Sequence, residues 1–294
     1  MPKKAICFGE MLWDVFPKKK IAGGAPMNVA LHLQHLGLDT SMISRVGKDK
    51  LGRELFRFVE RYGLDTSLIQ EDGELPTGTV HVNDTDPENI QYDIVKPAAW
   101  DRVTWNETMQ RAVRTADVFV YGSLAAREPT SRETLFSLLK NTDSLKVLDM
   151  NLRPPFYTAE LIEELLKSCH ILKINEEELS KIASFQDLPS KTSTALERLS
   201  EQFDLDLICV TLGAKGALLF QDGEIVSHPG YPVEVADTVG SGDAFLAGFI
   251  TKYLDHQSPE QTLDYACALG ALVATMEGGT PTYAIADVEA LRKN

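Results

Sequence analysis

The stretch with the clearest chemical content is Asp237-Thr238-Val239-Gly240-Ser241-Gly242-Asp243-Ala244-Phe245. Two glycines flank a serine, a carboxylate follows, and an apolar run (Phe245, Leu246, Ala247, Phe249, Ile250) continues toward Asp255 with only Gly248 inside it. This reads as a buried helix entered through a glycine turn. Such an entry presents backbone N–H groups without intrahelical partners to one point, and the helix dipole reinforces them, which suits a phosphate or a developing phosphoryl charge. Asp243 falls in the first turn, placed to accept a proton from a hydroxyl held there. The same letters also describe an ordinary glycine turn with an aspartate near a helix N-terminus, and alone they leave both readings open.

A second constellation lies near the N-terminus. Residues 4–16 read as one opening strand, with Glu10 and Asp14 as polar interruptions. Glu10 fits loop exposure as well as function. Asp14 gains interest from Ile21-Ala22-Gly23-Gly24-Ala25-Pro26-Met27-Asn28, a diglycine turn followed by a proline suited to a first helical turn. Gly23 and Gly24 would let a ligand approach the backbone with no Cβ in the way. Asn28 offers both donor and acceptor to a hydroxyl. The helix then carries Val29, Leu33 and Leu36 on one face and stops at Gly37.

The elements that must position these groups follow from periodicity. A strand over 41–46 precedes a helix with Leu51, Leu55, Phe58 and Tyr62 at helical spacing. Residues 77–83 and 89–95 alternate polar and apolar around Asp84–Glu88, which predicts a half-buried hairpin; with residues near 12–22 it forms a small β appendage. Trp100 and Trp105 nearby read as packing residues. From 117 onward strands (117–122, 146–151, 170–174, 207–211) alternate with helices (130–140, 158–168, 176–184, 192–203), and a hairpin follows at 216–228. That order predicts a mostly parallel sheet covered on both faces, with ligands at the C-terminal strand ends. Ser123, Asn151, Arg153, Asn175, Glu178, Thr211, Gly213 and Asp243 are the polar residues so placed. The last long helix opens with the capping box Ser258-Pro259-Glu260-Gln261 and is expected to end near Gly278-Gly279. Its small residues, Ala268 and Ala271 among them, fit close helix packing or a flat base lying against the helix.

Composition narrows the class. With 294 residues the chain is long enough for a full α/β core, and a formal net charge of −14 argues against a nucleic-acid partner. Cys7, Cys169, Cys209 and Cys267 show no metal-binding spacing and read as reduced core thiols. No apolar run reaches membrane-spanning length and the N-terminus lacks a secretory pattern, so a soluble cytoplasmic protein without a membrane partner is expected. Neither a Walker A loop nor a G-x-G-x-x-G opening the first strand–helix turn is present.

Taken together the motifs resemble a family. Asp237–Ala244 resembles the C-terminal signature D-T-x-G-[AS]-G-D-A of the ribokinase-like (PfkB) carbohydrate kinases, and Gly23–Ala30 their diglycine signature. Asn175-Glu176-Glu177-Glu178 is similar to their N-x-x-E element and Thr211-Leu212-Gly213-Ala214-Lys215-Gly216 to their T-x-G-x-x-G. The resemblance spans the whole chain as one kinase domain. It implies a three-layer α/β/α sandwich with a small β-sheet lid, built from about 12–22 and 76–103, closing over a sugar. It also implies transfer of the γ-phosphoryl of ATP, with Asp243 as base and the N–H groups of Gly240, Ser241 and Gly242 as anion hole. Asp14, Gly23, Gly24, Asn28 and Arg153 would bind the sugar; Asn175, Thr211, Gly213, Lys215, Gly216, Ala268 and Ala271 would line the nucleotide. Asn175 and Glu178 would hold Mg²⁺ through water, and Asp237 with Thr238 are candidates for K⁺, as in some members.

The wording Gly9-Glu10-Met11-Leu12-Trp13-Asp14 with the diglycine is most similar to bacterial fructokinases, while Asn151-Leu152-Arg153-Pro154 is similar to a segment they share with 2-keto-3-deoxygluconate kinases. A carboxylate at position 14 suits a neutral polyol and would repel a substrate carboxylate, which favours fructose. Ribose or a nucleoside as substrate, and a catalytically silent sugar-binding protein, are the alternatives. The sequence does not give the oligomeric state, but an exposed edge on the lid hairpin would allow a lid-to-lid homodimer.

Overall fold

The computed structural model describes residues 2–83 and 91–293. The chain opens with β1 (Lys4–Phe8), β2 (Leu12–Val15) and β3 (Lys20–Gly23), then α1 (Ala25–His35), β4 (Asp39–Gly47), α2 (Lys50–Arg61) and β5 (Ile69–Asp72). β6 (Gly78–Asn83) and β7 (Gln91–Ile94) follow, and then α3 (Glu107–Arg114), β8 (Val118–Gly122), α4 (Pro129–Lys140), β9 (Leu145–Asp149) and α5 (Ala159–Leu166). The rest comprises β10 (Ile171–Asn175), α6 (Glu176–Gln186), α7 (Thr192–Phe203), β11 (Leu207–Thr211), β12 (Ala217–Gln221), β13 (Glu224–His228), α8 (Ser241–Leu254), α9 (Pro259–Ala274) and α10 (Ile285–Leu291).

The large sheet has the order β13-β12-β11-β10-β9-β8-β1-β4-β5 and is parallel from β11 to β5, with β12 and β13 antiparallel at one edge. Its central strands β1, β8, β10 and β11 are buried on both faces, as strands between two helical layers must be. Ile6, Phe8, Phe119 and Leu148 pack with α3 to α7, whereas Ala5, Cys7, Val118 and Val120 pack with α1, α2, α8 and α9. The expected α/β/α sandwich is therefore present. All four cysteines are buried free thiols.

The predicted opening strand over 4–16 is corrected to two. Gly9 turns at φ +152°, where an added Cβ would lie 2.5 Å from Pro26, and the chain leaves the large sheet. β2 joins instead the small sheet, of order β3-β2-β6-β7. β6 and β7 pair antiparallel through Val80↔Ile94 and Val82↔Tyr92, as the hairpin pattern predicts. Its connection, Asp84–Glu88, and the expected strand residues Asn89 and Ile90 lie outside the described residues. The last long helix stops at Ala274 rather than near Gly278-Gly279, because the chain then turns back along Asp237. Trp100 is buried as expected, while Trp105 is 42 % exposed.

Candidate active site

Gly240 caps α8 in the left-handed conformation (φ +77°), and a Cβ there would lie 2.3 Å from the Gly279 carbonyl oxygen. Glycine is the residue that allows both the turn and the contact. The Ser241 N–H is directed to the Thr238 carbonyl at 3.3 Å and its hydroxyl donates to the Gly270 carbonyl at 3.0 Å. The N–H groups of Gly240, Gly242 and Asp243 have no acceptor among the described residues. The open donors thus differ from the expected set by one position: Asp243 replaces Ser241.

Asp243 stands in the first turn of α8, and Asn28, from the first turn of α1, donates Nδ2–H to its Oδ2 at 2.8 Å. Residues 215 apart in sequence meet here. Burial pushes the Asp243 carboxyl up to about 6, Asp149 adds to the rise, and Asn28, Lys173 and Arg153 pull it back. A carboxyl in that range is ionised near neutrality yet basic enough to take a proton. The Asn28 Oδ1 is buried and accepts no hydrogen bond among the described residues.

Asp14 lies on the β2 face that also carries Val80, Val82 and Tyr92 in register. Burial pushes its carboxyl up to about 6 while Arg153 opposes the rise. The diglycine has packing reasons of its own. A Cβ on Gly23 would lie 2.5 Å from the Asp14 carboxylate, and one on Gly24 would lie 2.4 Å from the Glu10 carbonyl oxygen. Arg153 is exposed and forms no ion pair among the described residues, yet its charge acts on Asp14, Glu10 and Asp243 alike. It therefore stands among the carboxylates of the cleft.

On the other side, register brings Asn175 beside Thr211 at the ends of β10 and β11. Asn175 and Glu178 form a capping box for α6, the Asn175 Oδ1 accepting from Glu178 N at 2.8 Å and the Glu178 Oε2 from Asn175 N at 2.9 Å. Glu178 Oε1 also accepts from Leu152 N at 2.8 Å, so this buried carboxylate is anchored on both oxygens. Gly213 turns at φ +60° and is exposed. Lys215 is exposed and 3.6 Å from Glu176. Gly216 has a structural cause, since a Cβ there would lie 1.9 Å from the His228 carbonyl oxygen. Ala271 is partly exposed, but Ala268 is fully buried beside Ala244 and Tyr265, which corrects its expected place on a ligand face. Asp237 accepts Val239 N (3.0 Å) and Gly278 N (3.1 Å), one on each carboxylate oxygen, and Thr238 is exposed.

Four more residues lie beside the candidate site, of which the sequence reading marked only Glu10, as a polar interruption of the opening strand. Glu10 is 3 % exposed with Oε2 lacking a partner among the described residues, and burial pushes its carboxyl up to about 7. Lys173 and Asp149, cross-strand neighbours in register, form a buried ion pair at 2.9 Å. Tyr92, 55 % exposed on β7, lies within reach of the charges of Asp14, Asp237 and Arg153. Glu10 in the apolar opening stretch and a lysine inside the apolar run Ile171–Ile174 were the available signals.

The description "pfkB family carbohydrate kinase" matches residues 4–285. The chain is 30 % identical to a fructokinase of Klebsiella pneumoniae, over 95 % of each chain, and 29 % identical to a fructokinase of Solanum tuberosum, over 94 % of this chain and 91 % of the other. In structure it is similar to a sugar kinase of Pyrococcus horikoshii in complex with ATP (TM-score 0.81, 28 % identity, covering 99 % and 97 %). It also shares its fold with a fructokinase of Xylella fastidiosa with bound ATP (TM-score 0.88, 22 % identity, covering 100 % and 99 %). With nearly the whole length matched, the chain belongs to the pfkB family of carbohydrate kinases and is an ATP-dependent sugar kinase.

Proposed function

We propose that the chain phosphorylates D-fructose at its primary O6 hydroxyl, with Asp243 as the base. The observation that carries the reading is the 2.8 Å hydrogen bond by which Asn28 holds Asp243 in the α8 turn, whose Gly240, Gly242 and Asp243 N–H groups have no acceptor among the described residues. Asp243 takes the hydroxyl proton as the sugar oxygen bonds to the γ-phosphorus and the bond to the ADP oxygen breaks. Gly240, Gly242 and the Asp243 N–H receive the charge of the transferring group. Catalysis of this kind is positioning and charge stabilisation. Thr211, Gly213, Lys215, Gly216 and Ala271 line the nucleotide side. The small sheet acts as a lid, placing Asp14 and Tyr92 over the sugar opposite Arg153 and limiting access of water to the phosphoryl group.

A metal fits the donor set in one way. Glu178 keeps lone pairs beyond its two backbone hydrogen bonds, and no group of three or more His, Cys, Asp or Glu able to hold a metal exists among the described residues. Such a site suits Mg²⁺ bound mainly by phosphates and water, with Asn175 and Glu178 holding the water shell. When bound, Mg²⁺ neutralises phosphate charge. Asp237 and Thr238 are the proposed K⁺ site, where backbone carbonyls would supply most ligands.

Fructose is supported by Asp14, whose carboxylate suits a neutral polyol, and by relatives named fructokinase that are matched over nearly their full length. One observation favours a second reading: the exposed guanidinium of Arg153 has no ion pair among the described residues and would suit the carboxylate of 2-keto-3-deoxygluconate. ADP release with ATP and Mg²⁺ over fructose, ribose, 2-keto-3-deoxygluconate and a nucleoside separates the two. The highest kcat/KM on fructose supports the first reading, and a preference for the keto acid replaces it with the second.

A further inference from the structure

We propose that the Lys173–Asp149 ion pair is a positioning device for phosphoryl transfer, its ammonium lodged beneath the turn that opens α8 and setting the charge around Asp243. The proposal rests on the reading of Asp243 as the base.

The pair sits on the same face of the sheet as the apolar Val147 and Ile171. Lys173 is 8 % exposed and Asp149 4 %. A buried pair of this kind is a weak source of stability, and apolar residues of similar volume often serve as well. Its place is more telling. A Cβ on Gly242 would lie 3.3 Å from Lys173 Nζ, so the glycine lets the ammonium come up under the turn. Helix N-termini favour anions, so a cation there works against the helix dipole. Asp149, 2.9 Å away, offsets that cost, and an anion received by the same turn would offset it further.

The groups facing each partner fix the sign of the effect. Asp243 is faced by Asp149 from β9, Lys173 from β10, Asn28 from α1, Arg153 beyond β9 and Glu10 beyond β1. Lys173 is faced by Asp149, by Glu178 of α6 and by Asp243. Asp149 makes Asp243 harder to ionise and Lys173 makes it easier. Removing one partner therefore moves Asp243 in the direction opposite to removing the other.

The test is the pH dependence of kcat at saturating ATP, Mg²⁺ and sugar for Lys173→Met, Lys173→Arg, Asp149→Asn and Asp243→Asn. Lys173→Met should move the acid limb up by about 1 pH unit and lower the plateau by about tenfold or more, with sugar KM little changed. Lys173→Arg should recover part of both losses, and Asp149→Asn should move the limb down. Since Lys173→Met leaves Asp149 unpaired, the double variant Lys173→Met with Asp149→Asn supplies a fold without either charge. Its plateau should stay low while its acid limb lies between those of the single variants. Limbs that coincide with the parent, or that move the same way in both single variants, would overturn the proposal, as would Lys173→Arg behaving like Lys173→Met. If Asp243→Asn keeps the parental rate, the base reading itself fails; if it is inactive while the other limbs do not move, only the ion-pair proposal falls.

Discussion

Replacing Glu10 by glutamine should stabilise the protein in neutral and alkaline solution and leave its stability in acid unchanged. Glu10 is 3 % exposed and its Oε2 has no hydrogen-bond partner among the described residues. Burial moves its carboxyl from an ordinary 4.5 to about 7; Asp243 adds to the rise while Arg153 and Arg127 oppose it. Below 4.5 the group is protonated in the folded and unfolded chains alike, and the folded state keeps all the stability its proton confers. Between 4.5 and 7 the unfolded chain ionises first, so that stability declines; above 7 it is gone, at a cost of about 3 kcal/mol. Glutamine never ionises and escapes this loss. A water in the adjoining cavity of about 10 Å³, which Glu10 lines with Asp149, would soften the cost, so the figure is a ceiling. Urea unfolding of parent and variant at pH 4.5, 6 and 8 measures the difference directly. It should be near zero at the lowest pH and largest at the highest. A variant no more stable at pH 8, or one equally stabilised at pH 4.5, would refute the reasoning.

Two further outcomes follow from the α8 turn. Asn28→Ala removes the 2.8 Å bond to Asp243, a charge-assisted contact, so kcat should fall about 10- to 100-fold and the acid limb of its pH profile should rise; unchanged kinetics would show that Asp243 needs no such support. Gly240→Ala places a Cβ 2.3 Å from the Gly279 carbonyl oxygen at a φ of +77° and must displace the turn. Its kcat should drop by about 100-fold even where the fold survives, as judged by circular dichroism.

What the sequence displayed and what it hid have a common cause. Patterns carried by neighbouring residues were legible: the glycine turn into α8, the diglycine before α1, the capping box at Ser258 and the alternation of strands with helices after residue 117. Features decided by residues far apart were not. Residues 4–16 look continuous because nothing local says that β1 pairs with β4 and β8 while β2 pairs with β3 and β6. The need for glycine at position 216 is set by His228 on the returning hairpin, which the local stretch does not reveal. Ala268 and Ala271 are neighbours one turn apart on α9 yet differ in burial, which only the packing of α8 and α10 against that helix decides. Lys173 reads as an ordinary strand lysine until register sets it opposite Asp149. The hydrogen bond from Asn28 to Asp243, which joins two motifs seen separately in the sequence, exists only in the folded chain.

The most direct test of the central claim is the turnover of Asp243→Asn with fructose, ATP and Mg²⁺, followed by ADP release. This variant keeps the shape of the side chain and removes its basicity. If Asp243 is the base, kcat should fall by about 10²- to 10⁴-fold with sugar KM changed only slightly. Turnover within a few-fold of the parent would contradict the account and place the proton acceptor elsewhere in the cleft.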